Sequence, residues 1–180
     1  MKKTLLIAAL FVTATSVFAQ KKTTTSATVT FDATTEKDAL PKAENKTVVA
    51  SLDTKTGAVA FEAPVKSFTF TNPMIQEHFN GDKWMNSNEF PAFTFKGKIA
   101  DLKAVKFDKD GTYTSTVEGT LTVKGKEQKV SAPATFVVKG GKIASTSNFS
   151  IALADYGIAG APIDGGKVAK EPKISVAADF

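Results

Sequence analysis

From Tyr113 to Lys124 the chain reads YTSTVEGTLTVK, with Tyr113, Ser115, Val117, Gly119, Leu121 and Val123 at odd positions and Thr, Glu or Lys at even ones. Successive side chains of an extended strand point to opposite faces, so this segment has one dry face and one wet face. The same period of two recurs in ATVTF (Val29, Phe31), GAVAFEAPV (Val59, Phe61, Val65), AFTFKGKI (Phe93, Phe95, Ile99) and KVSAPATFVV (Val130, Ala134, Phe136, Val138). NFSIALA (Phe149, Ile151, Leu153) and KISVAADF (Ile174, Val176, Phe180) continue it to the C-terminus. Between Phe61 and Phe70 the apolar parity changes from odd (Phe61, Val65) to even (Phe68, Phe70), which predicts a bulge or strand break near Lys66. Turn-forming sequences separate the runs: DTKTG at 53–57, DKDG at 108–111, VKGKEQ at 123–128 and KGGK at 139–142, the last two suited to tight hairpins. Many half-buried antiparallel strands in one domain leave exposed sheet edges unless the sheet closes on itself. The expected fold class is therefore all-β, closed into an antiparallel barrel.

One stretch leaves this pattern. NPMIQEHFNGDKWMNSNEFP, from Asn72 to Pro91, holds the single His of the chain, its single Trp and two of its three Met. Asn72 followed by Pro73 makes an N-cap and first-turn pair, and Met74, Ile75, His78 and Phe79 recur at helical spacings of three and four. The spacing predicts a short one-sided helix and loop, about 72–90, that caps one mouth of the barrel with Phe79, Trp84 and Met85 facing inward.

The N-terminus, MKKTLLIAALFVTATSVFAQ, has Lys2 and Lys3 before an apolar run and a small residue, Ala19, at the expected cleavage point. This reads as a secretory signal peptide over 1–19, leaving a mature domain over 20–180. Its apolar run is shorter than the roughly 20 residues that span a bilayer, so the mature protein is expected to have no transmembrane segment. The expected location is the periplasm, with secretion to the medium as second choice. Cysteine is absent from all 180 residues, which excludes disulfides, thiolate metal sites and a cysteine nucleophile.

Loss of Lys2 and Lys3 takes the formal charge from +5 to +3, and all 23 basic residues are Lys, scattered rather than clustered. Nucleic-acid surfaces favour the bidentate fork of Arg, so no nucleic-acid partner is expected. With one His in the chain, a three-His zinc site is impossible, and any Ser-His-Asp arrangement must use His78. Glu77, at the preceding position, does not share a helical face with His78. DKDG lacks the further acidic positions of a calcium loop, and GAPIDGGK near Gly160 misses the phosphate-loop pattern. No catalytic residue, metal or cofactor is expected.

Several separate motifs in order, SFTF, NPMIQEHFN, EFPAFTFKGKI, VEGTLTVKGKEQKV, FSIALADYGI and VAKEPKISVAADF, make the chain from about Ala27 to Phe180 resemble the YceI-like family, in particular its bacteroidete branch. The resemblance implies an eight-stranded lipocalin-like barrel, exported to the periplasm, whose elongated apolar pocket takes a polyisoprenoid or another long-chain amphiphile. One position departs: where many relatives carry His before the hairpin glycine, this chain has Lys124. The resemblance also admits a homodimer, for which the sequence specifies no interface.

Twelve of the 14 Phe lie beyond the leader. Periodicity alone leaves open whether they fill the barrel core or line a void. The resemblance favours the void, and the expected ligand-contacting wall is then Phe31, Phe61, Phe68, Phe70, Phe93 and Phe95 from the first half. Tyr113, Val117, Gly119, Leu121, Phe136, Phe149 and Ile151 follow from the second half, and Met74, His78, Phe79, Trp84 and Met85 from the roof. The expected function is sequestration or transport of an isoprenoid or fatty amphiphile. A filled structural or protein-interaction barrel is the alternative, and a lipocalin-like enzyme the more distant one.

Overall fold

In a computed structural model, which describes residues 20–180, the chain is a closed antiparallel barrel with a helical roof. The strands are β1 (Lys21–Asp32), β2 (Lys42–Asp53), β3 (Ala58–Pro64), β4 (Thr69–Phe70), β5 (Ala92–Ile99), β6 (Gly111–Val123), β7 (Lys126–Lys139), β8 (Lys142–Ser150) and β9 (Lys173–Asp179). Pairing runs β1-β9-β8-β7-β6-β5-β3-β2, and β2 pairs back onto β1, so eight strands close the ring. The ninth, β4, is a two-residue stub paired to Ala43 and Glu44 of β2. The proposed leader lies outside the described residues.

Seven of the eight barrel strands overlap the alternating runs, and the eighth does not. SFTFT contributes only the stub, whereas KAENKTVVASLD, where no strand is expected, forms all of β2. Its inward residues are Ala43 and Asn45, then Val48, Ala50 and Leu52: the parity flips because Ala27 pairs with Val48 while Val29 pairs with Asn45. Such a bulge hides the period of two from the sequence. Asn45 makes the bulge tolerable. Fully buried, it donates from Nδ2 to the Pro64 carbonyl at 2.8 Å, and its Oδ1 accepts from the Thr47 N–H at 2.8 Å and the Thr47 hydroxyl at 3.0 Å. One side chain thus ties the bulge of β2 to the end of β3, leaving no polar atom of its own unpaired.

The break expected near Lys66 is a turn of 3-10 helix, Val65–Ser67, after which Phe68 and Phe70 face inward. The β6–β7 hairpin turns on Lys124 and Gly125, with φ of 51° and 71°. Both central residues are left-handed, as a two-residue hairpin of matching twist requires. Lys124 therefore sits in the turn. The β7–β8 hairpin repeats this geometry at Gly140 and Gly141.

The roof begins as its sequence predicts. Helix α1 spans Pro73–Asn80, with Pro73 in the first turn and the Asn72 side chain accepting from the Met74 N–H at 2.9 Å. A second short helix, α2 (Ala161–Asp164), lies in the β8–β9 connection, where only a loop is expected.

The same connection buries Tyr156, 2% exposed, at the roof end of the core. Burial, followed by the neighbouring Asp155 charge, pushes the Tyr156 phenol up to about 12 from 10.0. The folded state therefore holds this proton more tightly than the unfolded chain does. The resulting stabilisation is complete below about pH 10 and is lost as pH rises toward about 12. Across that window the melting temperature of the wild type is expected to fall more steeply than that of Tyr156→Phe; equal slopes would remove Tyr156 as the cause.

Candidate functional site: an apolar chamber and its roof

The fully buried side chains of the core fall into two clusters. One packed cluster gathers under the roof around Phe31, Phe68, Phe70, Phe79 and Met85, and a second gathers at the opposite end around Leu52, Ile99, Val105, Phe136 and Ile143. Partly buried Phe61 and Phe180 touch both. Between the clusters lies a cavity of about 150 Å³, counted as the space open to the centre of a water-sized sphere. A single water needs at least about 10–15 Å³, so the chamber is far larger than a packing defect.

The aromatic rings divide in the same way. Phe79 is a hub, with ring centroids 6.1 Å from Phe31, 5.9 Å from Phe68, 4.9 Å from Phe70 and 6.5 Å from Phe93. At the floor, Phe107 meets Phe136 edge-on at 5.7 Å. Phe61, Phe95 and Phe149 line the middle of the chamber and take part in none of these ring pairs.

Four hydroxyl-bearing residues, Thr94, Ser145, Thr146 and Ser147, interrupt an otherwise apolar lining. Ser147 donates to the Pro133 carbonyl at 2.7 Å and Ser145 to the Ala178 carbonyl at 3.4 Å, so both serine protons are already spent on the barrel wall. Such a chamber offers area and shape, worth roughly 25 cal/mol per Å² of apolar surface withdrawn from water, and little to fix orientation.

A second cavity, about 210 Å³ by the same measure, lies on the outer side of the roof. Its walls come from the β1–β2 connection (Asp38, Pro41), from α1 and the following loop (Ile75, His78, Trp84), and from the β8–β9 connection (Pro162, Lys167, Val168). Phe31 and Phe79 line both cavities.

Of the 18 expected wall residues, Phe31, Phe61, Phe68, Phe79, Met85, Phe93, Phe95, Val117, Leu121, Phe136, Phe149 and Ile151 lie on the inner chamber. Phe70, His78 and Trp84 line the outer cavity. Trp84 thus departs from its expected inward orientation: neighbouring Met85 is 2% exposed and faces the chamber, while Trp84 in the same turn faces the other way. Met74, Tyr113 and Gly119 line neither cavity. Met74 is 65% exposed, because Ile75 and Phe79 form the buried face of α1. Tyr113 packs against the floor cluster and donates its hydroxyl to the Lys109 carbonyl at 2.9 Å. Gly119 leaves no volume, because the ring of Phe95 lies over it: a Cβ there would stand 2.6 Å from Phe95 Cζ.

The sequence reading missed Ser145 and Ser147 as wall residues. They continue the inward register from Ile143 to Phe149, but hydroxyls at those places break the apolar signal. Among the described residues no three His, Cys, Asp or Glu side chains gather as a metal site, and no helix is long and apolar enough to cross a membrane.

A closed antiparallel barrel wrapped around an apolar chamber, with a helix over one end, defines a lipocalin-like binding-barrel architecture. The YceI-like domain matches residues 11–180, and the chain belongs to that family. Among solved structures, Burkholderia cenocepacia BcnA superposes with a TM-score of 0.71 at 20% identity, over 86% of this chain and 96% of that one. A polyisoprenoid binding domain from Saccharophagus degradans, implicated in plant cell wall breakdown, gives a TM-score of 0.73 at 13% identity, over 89% and 97%. The Campylobacter jejuni YceI protein gives 0.54 at 22% identity, over 74% and 80%. No curated protein matches the chain at a significant level.

Proposed function

We propose that this chain is an exported, non-catalytic binding protein that sequesters or carries a long-chain isoprenoid or fatty amphiphile, its tail in the inner chamber and its head near the roof. The observation that carries this reading is the void between two separately packed clusters, walled by Phe61, Phe95 and Phe149. A largely apolar, phenyl-rich wall suits a ligand recognised by shape and area, such as an isoprene chain, and supplies no convergent acid, base or nucleophile. The likeness in fold to a polyisoprenoid binding domain supports the ligand class, and residues 1–19 support export to the periplasm.

Protein recovered from the periplasm of its native host is expected to begin near Gln20 and, on organic extraction, to release a hydrophobic molecule in near-stoichiometric amount, read by mass spectrometry. Leu121 faces the chamber and is only partly buried, so Leu121→Trp should put an indole into the void with little cost to the fold. That variant is expected to keep its melting temperature within a few degrees and lose most of the extracted molecule. Clean extracts from both wild type and variant would favour the filled-barrel or interaction reading.

A further inference from the structure

Packed side chains close both ends of the barrel: the rings gathered on Phe79 under the roof, and the cluster around Leu52, Ile99 and Phe136 opposite. A ligand entering by either end must displace one of these clusters. The roof is also tied across its top. Thr35 donates its hydroxyl to the Gly166 carbonyl at 2.8 Å, Lys37 its ammonium to the Gly165 carbonyl at 3.1 Å, and the Ala169 N–H reaches the Ala33 carbonyl at 2.9 Å.

One seam of the side wall is not tied in this way. β1 and β9 pair from Asp32 opposite Lys173 to Thr28 opposite Ala177, and there the ladder stops although β1 runs on to Lys21 and β9 to Asp179. Each strand keeps its other neighbour: residues 21–24 pair with residues 50–53 of β2, Ala178 and Asp179 pair with Ser145 and Ala144 of β8, and Phe180 exchanges both backbone bonds with Ile143. Two strand edges thus face one another with no ladder between them. The cause lies in β1, whose register against β2 shifts between Thr24 and Ala27 and again between Ala27 and Val29. Such bulges bend a strand and raise its twist, so the first half of β1 follows β2 and leaves β9.

The seam lies beside the chamber. Val29 and Val176, paired next to the end of the ladder, both line the chamber, and so does Phe180. Past the ladder the inner side of the seam carries Ala27 and Ala178, buried but with one methyl group each, and the half-buried ring of Phe180, which touches both core clusters. Thr25, Ser26 and Asp179 are exposed on the outer side. Among the described residues a single hydrogen bond bridges the foot of the seam, from the Lys22 ammonium to the Gly141 carbonyl in the β7–β8 turn at 2.9 Å. Local opening is easiest where backbone hydrogen bonds are few.

Resting on the chamber reading above, we propose that this seam is the portal of the chamber. An apolar chain enters through the barrel wall between residues 24–27 and 178–180, with Phe180 as the gate and the Lys22 bond as a strap, while the roof stays in place.

The chain has no cysteine, so paired Cys variants can be joined by 1,2-bis(maleimido)ethane without a competing thiol. Ser26→Cys with Asp179→Cys ties the seam, and Leu40→Cys with Met74→Cys, at two exposed positions, ties α1 to the β1–β2 connection. The same variants capped with N-ethylmaleimide carry the added bulk without the tie. Uptake and release of the fluorescent probe 1-N-phenylnaphthylamine are followed by stopped flow, the part of the signal that Leu121→Trp abolishes being the chamber's. The seam link is expected to slow uptake and release together by about tenfold or more and to leave the dissociation constant unchanged, because a portal governs exchange and not the bound state. The roof link should leave both rates at their capped values. Lys22→Ala, which removes the strap alone, should quicken both by about two- to threefold. Exchange through a linked seam at the capped rate, a seam link that weakens affinity without slowing exchange, or slowing by the roof link alone overturns the portal and leaves the chamber reading standing. Failure of wild type to take up the probe at all overturns the chamber reading itself.

Discussion

Phe79→Ala is expected to lower the stability of the barrel by about 3–5 kcal/mol, the usual cost of removing a fully packed phenyl group. Phe79 is 5% exposed, and its ring meets those of Phe31 on β1, Phe70 on β4, Phe93 on β5 and Phe68 beside β4. An eight-residue helix has no stability of its own in water, so its place on the barrel depends on such an anchor. The stub β4 adds little, since it pairs only two residues with β2. Truncation leaves a void beside the chamber that the four surrounding rings cannot close without moving the backbone that carries them. The measurement is the urea midpoint at unchanged slope. Met74→Ala, on the exposed flank of the same helix, should move it by no more than about 0.5 kcal/mol. A loss below about 1 kcal/mol for Phe79→Ala would mean that the roof is held by its flanking loops and that the aromatic hub is incidental.

The contrast between Phe79 and Met74 shows how far the sequence carries. Spacing alone places both on one helical stripe, and the cap at Asn72 and Pro73 is legible to the residue. Which edge of the stripe is buried depends on where the barrel mouth lies, and that is set by strands 20 to 50 residues away in the chain. Trp84 and Met85 fail to read for a related reason: adjacent residues in an irregular turn have no period to betray their direction.

Strands read well wherever alternation is unbroken. Val117, Leu121, Phe136 and Phe149 are inward as their parity requires. β2 was illegible because its bulge flips parity at Lys46 and Thr47 and because Asn45, a polar residue, occupies a core position. No local rule marks an Asn as buried; the Pro64 carbonyl that satisfies it arrives from another strand. The serines of β8 were hidden in the same way, their hydroxyls satisfied by carbonyls of Pro133 and Ala178. Polar residues at inward positions are invisible to patterning when their partners are distant in sequence.

Gly119 carries the second large effect. It pairs directly with Gly97 across β5 and β6, and the ring of Phe95 lies over both. A Cβ on Gly119 would press into the Lys96 carbonyl oxygen and stand 2.6 Å from the Gly97 Cα and 2.6 Å from Phe95 Cζ. The first two contacts are backbone. They cannot be relieved by turning a side chain, so the strands must separate locally and weaken the ladder that closes the barrel. The third can be relieved only by swinging Phe95 off the wall, and the direction open to it is the chamber it already lines. Gly119→Val is therefore expected to cost about 3 kcal/mol, the upper end of the range for overpacking, and at the same time to empty the protein of extractable ligand. The two effects separate in a double variant. Adding Phe95→Ala to Gly119→Val removes the ring that would block the chamber but not the backbone clash, so ligand should return while stability does not. If Gly119→Val kept both its stability and its ligand, the glycine pair would have no structural role and Phe95 would lie elsewhere in solution. Should ligand stay absent in the double variant although the protein remains folded, the loss would trace to the opened ladder and not to the ring. The barrel thus sets the size of its chamber through a pair of glycines: the absence of two side chains lets the tip of the Phe95 ring rest on the sheet, and the space this frees is what the ligand is read to occupy.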